Sequence, residues 1–200
     1  IVYLHGFASS PQSSKAQFFG EKFRAAGIPF AARALDQGNF ESLTISGQLT
    51  VIENAVGNGG PGTILMGSSL GGYLAALFAT TFAARHPLAV DRLILMAPAF
   101  DFLNRWKARL SPQELARWKA EGSLPIYHYG AKAERRLGYQ FFEDGARYPA
   151  FPGFAQRALI LHGTEDPVVP VEGSRAFAEK HPSVRLALFP SGHELTDVLD

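Results

Sequence analysis

Thr63-Ile64-Leu65-Met66-Gly67-Ser68-Ser69-Leu70-Gly71-Gly72-Tyr73-Leu74-Ala75-Ala76-Leu77-Phe78 joins two apolar runs of different rhythm. The first is short and follows the turn cluster Asn58 to Gly62, which predicts a buried strand over Thr63 to Gly67. The second predicts a helix over Leu70 to Ala84. Between them lies Gly67-Ser68-Ser69-Leu70-Gly71, a Gly-x-Ser-x-Gly match centred on Ser69. With glycine and serine each at ~7% of residues, the five letters alone arise by chance in on the order of one chain in ten of this length. Their placement between strand and helix carries more weight. A turn this sharp strains the central residue and leaves room only for glycine two positions to either side. It lifts the hydroxyl to the C-terminal edge of a sheet, above a helix N-terminus whose free N–H groups favour negative charge. A glycine-rich turn with an incidental serine is the competing reading.

The runs on either side set the architecture. Ile1 to Leu4, Phe30 to Leu35, Arg92 to Met96, Ala158 to Leu161 and Val184 to Phe189 read as further strands. Helical stripes fall at Phe18, Phe19, Phe23 and Ala26, at Ile45, Leu49, Ile52 and Val56, and over Val171 to Lys180. Alternation of strand and helix predicts an α/β fold with a mostly parallel central sheet flanked by helices. Residues 101–152 break the rhythm. They are expected to form a helical, aromatic, lid-like insert within a single domain spanning 1–200, with plain helix packing as the alternative.

The 200 residues carry a formal net charge of +1, are 46% apolar and lack cysteine. No nucleic-acid partner is expected from that charge. Disulfides, Cys-based metal sites and a thiol nucleophile are excluded. No apolar run suits a membrane span and no signal peptide is visible. Ile1 opens inside a strand-like run and Asp200 closes inside a helix-like one, so the termini are left open and the cytoplasm is only the default address. No metal-ligand cluster, phosphate loop or dinucleotide fingerprint stands out, and no cofactor is expected.

A serine hydroxyl needs a base and a group that orients the base. His193 follows the last strand in Pro190-Ser191-Gly192-His193 and is the expected base. Asp166, in Gly163-Thr164-Glu165-Asp166-Pro167 after the preceding strand, is the expected acid; a helix cap or turn role is its alternative, and Glu165 its nearest rival. His86 and His181 read as surface or capping residues, His128 as structural, and His5 and His162 as structural residues near the site. The order Ser69, Asp166, His193 is that of α/β-hydrolases. An oxyanion hole is expected from the backbone N–H groups of Leu70 and Phe7. His5, Trp106, Tyr127 and Tyr129 are candidates to line a substrate pocket. The insert's cations, among them Arg105 and Arg109, read as a solvated helix face.

Over nearly its whole length the chain resembles the α/β-hydrolases. Tyr3-Leu4-His5-Gly6-Phe7-Ala8-Ser9-Ser10-Pro11, Ser14-Lys15-Ala16 and Leu35-Asp36-Gln37 resemble small bacterial YqiA-like esterases, and the segment Gly67 to Gly72 is shared with them. It is also similar to mitochondrial acyl-protein thioesterases that cleave acyl glucuronides. The resemblance implies a cofactor-free serine hydrolase acting on a small-molecule ester or thioester through an acyl-enzyme. If Ile1 is the true start, the strands that usually precede it in the family are absent and the sheet is expected to be minimal. An amidase or peptidase with the same triad, and a non-catalytic ligand-binding relative, remain as alternatives. The oligomeric state is not legible.

Overall fold

The computed structural model describes residues 1–82 and 89–199. Its core is a six-stranded, wholly parallel sheet in the order β2-β1-β3-β4-β7-β8. The strands are β1 (Val2–Leu4), β2 (Ala31–Ala32), β3 (Thr63–Ser68), β4 (Val90–Met96), β7 (Arg157–Gly163) and β8 (Val184–Phe189). The central strands read as unbroken apolar runs because both faces are covered. Val2, Leu4, Leu65, Leu93, Leu95 and Ile160 face a large core with α2 (Ile45–Gly59), α3 (Leu70–Phe82) and α7 (Val171–Lys180). Tyr3, Met66 and Met96 face the opposite side, under α1 (Ser14–Ala25). Helix α3 is apolar around nearly its whole circumference and is buried throughout its first ten residues.

The chain starts in the middle of the sheet, runs outward to β2, then returns to the other side of β1 as β3. The gap between β1 and β3 is therefore the topological switch point, where parallel sheets open a crevice at their C-terminal edge. Ser69 follows β3 there, and Gly6-Phe7 follows β1.

Two elements differ from expectation. The strand expected over Phe30 to Leu35 pairs only at Ala31–Ala32, because as an edge strand it has one neighbour and Leu35 is drawn into a buried loop. The insert contains helices α4 (Phe102–Arg109), α5 (Pro112–Glu121) and α6 (Gln140–Gly145), but also an antiparallel ribbon of β5 (Ser123–His128) and β6 (Ala133–Gly138). Its turn packs on the loop after β1, where Gly130 N–H donates to the Ala8 carbonyl at 3.3 Å and a side chain at Gly130 would meet Ser10. The Ala84 end of the expected helix and His86 lie outside the described residues.

The insert is also tied to the sheet's helices. Asp144, at the end of α6, accepts hydrogen bonds from the Ser46 N–H (2.7 Å) and hydroxyl (2.6 Å) in the first turn of α2. A carboxylate there satisfies an orphan helix donor and complements the dipole. Asp144→Ala is expected to lower unfolding stability by about 2 kcal/mol, the scale for hydrogen bonds to a charged group; urea titration followed by circular dichroism checks it.

Candidate active site

The Gly67–Gly71 turn shows why its sequence is so constrained. Ser69 adopts φ 54°, the left-handed region that costs a non-glycine residue conformational energy. Side-chain carbons at Gly67 and Gly71 would run into the Gly71 and Leu4 carbonyls respectively. The strain is held by fixed backbone bonds: Ser69 N–H donates to the Met96 carbonyl (2.9 Å), and Ala99 N–H donates to the Ser69 carbonyl (2.9 Å).

The turn presents Ser69 to the loop after β8. His193 Nε2 lies 3.0 Å from Ser69 Oγ, and His193 Nδ1 lies 2.7 Å from Asp166 Oδ2. With Nδ1–H donating to the carboxylate, Nε2 is left to accept the serine proton. Three residues separated by up to 124 positions in sequence thus form one hydrogen-bonded relay. Glu165, the neighbour of Asp166, is exposed and takes no part.

The Asp166 side chain is fully buried. Burial alone would raise its pKa. Hydrogen bonds from His162, His193 and the Val169 N–H outweigh that effect and hold the carboxyl below the usual range. Its Oδ1 accepts from Val168 N–H and Val169 N–H, each at 2.8 Å. This is the turn-capping role that competed with the catalytic reading; the same carboxylate caps the turn and bonds His193.

His162 is completely buried and has a part that its sequence position did not reveal. Nδ1 meets Ser174 Oγ at 2.8 Å, while Nε2 lies 3.0 Å from the Val169 carbonyl and 3.3 Å from Asp166 Oδ2. It clamps the acid loop to β7 and α7. Lys15, buried in α1, is a second residue overlooked as a single letter. Its Nζ donates to the Glu194 carbonyl (2.9 Å) and pairs with that residue's carboxylate (3.1 Å), pinning the His193 loop from the far side of the sheet. The only signal for it was its place in Ser14-Lys15-Ala16.

The loop after β1 runs against the serine. A side-chain carbon placed at Gly6 would stand 3.5 Å from Ser69 Cβ. Among the described residues, neither Phe7 N–H nor Leu70 N–H makes a hydrogen bond. His5 holds that loop rather than lining a pocket with Ser69. Its Nδ1 meets the Gly6 carbonyl at 2.9 Å, and its Nε2 accepts from Leu35 N–H at 3.3 Å. Burial pushes its pKa down, which keeps the ring neutral and able to accept. Tyr127 is turned outward and half-exposed on the ribbon, in edge contact with Tyr129. His128 is buried in the ribbon corner, accepting Ala131 N–H at 3.0 Å, and His181 bonds the Phe177 carbonyl at the end of α7.

Two spaces open on Ser69. One is an apolar cleft of about 120 Å³ walled by Phe7, Leu70, Phe102, Trp106 and Phe141. Arg105, Arg109, Val168 and Val169 complete it. The other is a polar groove of about 730 Å³, rich in hydroxyls from Ser9 to Ser14, which His193, Tyr129 and Lys132 also line. Trp106 and Tyr129 therefore fall on different sides of the serine. Among the described residues no group of three His, Asp or Glu is placed to hold a metal ion, and no helix is long and apolar enough to cross a membrane.

A parallel sheet carrying a Gly-x-Ser-x-Gly turn at its switch point defines the α/β-hydrolase fold. The chain belongs to the uncharacterised protein family UPF0227, whose family model matches residues 1–200. It is similar to a solved structure from Agrobacterium vitis S4 (TM-score 0.85, 25% identity, covering 98% of this chain and 80% of that one). It is similar too to alpha/beta hydrolase domain-containing protein 10 from mouse (TM-score 0.78, 23% identity, 97% and 81%). Est1E from Butyrivibrio proteoclasticus, solved with ferulic acid bound, superposes with a TM-score of 0.77 at 19% identity, over 99% of this chain and 85% of that one. No curated protein sequence matches the chain.

The low carboxyl pKa of Asp166 has a stability consequence. A group held below its unfolded value stabilises the fold fully above that value and loses the contribution as pH falls through the folded one. Wild type is therefore expected to exceed Asp166→Asn in stability by a constant margin above about pH 5. The margin should shrink below about pH 4, the ordinary aspartate range. Urea unfolding of both proteins from pH 7 to pH 3 checks the trend.

Proposed function

We propose that the protein is a serine hydrolase that cleaves carboxylic esters or thioesters through an acyl-enzyme. The observation that carries this reading is the unbroken relay of 3.0 Å and 2.7 Å from Ser69 through His193 to Asp166. A hydroxyl so placed can be deprotonated as it attacks, and the buried carboxylate stabilises the imidazolium that results.

In this mechanism Ser69 Oγ attacks the acyl carbonyl while His193 Nε2 takes the serine proton. The oxyanion of the tetrahedral intermediate is received by the Phe7 and Leu70 N–H groups, both without a hydrogen-bond partner among the described residues. The His193 imidazolium then protonates the leaving oxygen or sulfur as the acyl–leaving-group bond breaks. Water, deprotonated by His193, attacks the acyl-enzyme; the proton returns to Ser69 and the carboxylic acid departs. The leaving group must lie beside the proton donor. His193 lines the polar groove and not the apolar cleft, so the leaving group is assigned to the groove and the acyl chain to the cleft. The bound ferulic acid of Est1E, a carboxylic acid in a protein of the same fold, is in keeping with acyl chemistry.

Ser69→Ala is expected to reduce kcat/KM on p-nitrophenyl esters by at least about a thousandfold, the scale for losing a nucleophile that acts as a unit with its base. The series runs from acetate to laurate, with circular dichroism as the control for folding. Wild type should also be labelled by a fluorophosphonate and the variant should not. No turnover at any chain length together with no labelling would overturn the reading.

A further inference from the structure

Two of the insert's cations, half-buried Arg105 and exposed Arg109, border the cleft as well as solvent. Arg105 and Arg109 lie four residues apart on α4, on one side of the helix, and both line the apolar cleft that opens on Ser69. Lys107, between them, does not line it. Like charges at this spacing repel, so an acidic partner would be the ordinary arrangement. Among the described residues neither arginine has one within ion-pair distance.

The nearby carboxylates are otherwise engaged. Asp101 accepts from Asn104 Nδ2, and Asp166 is saturated by His193, His162 and two backbone N–H groups. Among the described residues each arginine is instead anchored by a single bond to a backbone carbonyl: Arg105 Nη1 to Phe100, and Arg109 Nη2 to Val168 at 3.2 Å. A guanidinium has five N–H donors in a planar fork, so most of each fork remains available. Burial lowers the Arg105 pKa, the mark of a cation partly stripped of water. Asp101 and Asp166 lie near enough to offset part of that cost, but neither pairs directly with the guanidinium, so an anion in the aromatic cleft would complete it.

The cleft volume limits what that anion can be attached to. A cavity of about 150 Å³ accommodates benzene, so about 120 Å³ suits a short chain of roughly five or six heavy atoms. A planar carboxylate is the anion that matches an arginine fork edge to edge.

We propose that Arg105 and Arg109 bind a carboxylate at the distal end of the acyl group, making the preferred substrates monoesters or monothioesters of short dicarboxylic acids. This rests on the serine-hydrolase reading and on the assignment of the acyl chain to the cleft. Chemically it adds no step: hydrolysis releases the dicarboxylate and the alcohol or thiol.

The test compares kcat/KM for mono-4-nitrophenyl glutarate with that for 4-nitrophenyl pentanoate, which has the same number of acyl carbons and no distal charge. Wild type is expected to favour the glutarate ester by at least about tenfold, with the preference falling as salt screens the pair. In Arg105→Met and Arg109→Met the glutarate-to-pentanoate ratio should fall at least fivefold. Arg109 is exposed, so its variant keeps the test available if Arg105→Met does not fold. A wild-type ratio near or below one, or a ratio unmoved in the folded variants, overturns the proposal. Should neither ester turn over and no fluorophosphonate label appear, the hydrolase reading has failed separately. Calorimetric titration with glutarate and pentanoate then decides the cleft. Glutarate binding that is lost in Arg109→Met supports the carboxylate site, and absent or equal binding of the two acids overturns it.

Discussion

The close approach of backbone to backbone at the Gly67–Gly71 turn is the constraint on which the rest depends. Side chains at either glycine would strike a neighbouring carbonyl, and Ser69 between them sits at φ 54°. Such strain persists only where the surroundings over-determine it. Here they do so from both flanking strands: Leu4 of β1 lies under Gly71, Met96 of β4 accepts the Ser69 N–H, and Ala99 in the loop beyond β4 donates back to Ser69. The sheet order that puts β1 and β4 on either side of β3 is thus what permits the turn.

From that turn outward, the site is a set of loops, each fastened by a buried polar residue. His5 fastens the loop after β1, His162 the loop after β7, and Lys15 the loop after β8. A buried polar group is costly unless its bonds are complete, and each of these bonds a backbone carbonyl of the loop it holds. That holds Ser69, His193 and Asp166 within hydrogen-bonding distance of one another.

The insert supplies the asymmetry. Its α4 and α6 close an aromatic cleft on one side of Ser69, with Trp106 in edge contact with Phe7 and Phe141. Its ribbon turn borders the polar groove on the other side, through Tyr129 and Gly130. Two spaces of unlike polarity beside one serine suit a substrate with unlike ends, and the proposed assignment of acyl and leaving groups follows from His193 bordering only the groove.

Much of this was legible in the sequence. Unbroken apolar runs mark strands buried on both faces, so β3 was readable from Thr63 to Gly67, and so was α7 by its helical stripe. The glycines of the turn and the strand-end positions of Asp166 and His193 were readable because backbone sterics and sheet topology restrict which residues can stand there. The β5–β6 ribbon was not, since β6 opens with Ala133-Glu134-Arg135-Arg136, exposed on both faces, and carries little of the alternation that marks a half-buried strand. Tertiary structure alone decided the roles of His162, Lys15, Arg105 and Arg109. A lysine or arginine in an amphipathic helix has the same local pattern whether it meets water, a loop carbonyl or a cleft. Which of these it meets depends on elements far away in the chain, and only folding brings them together.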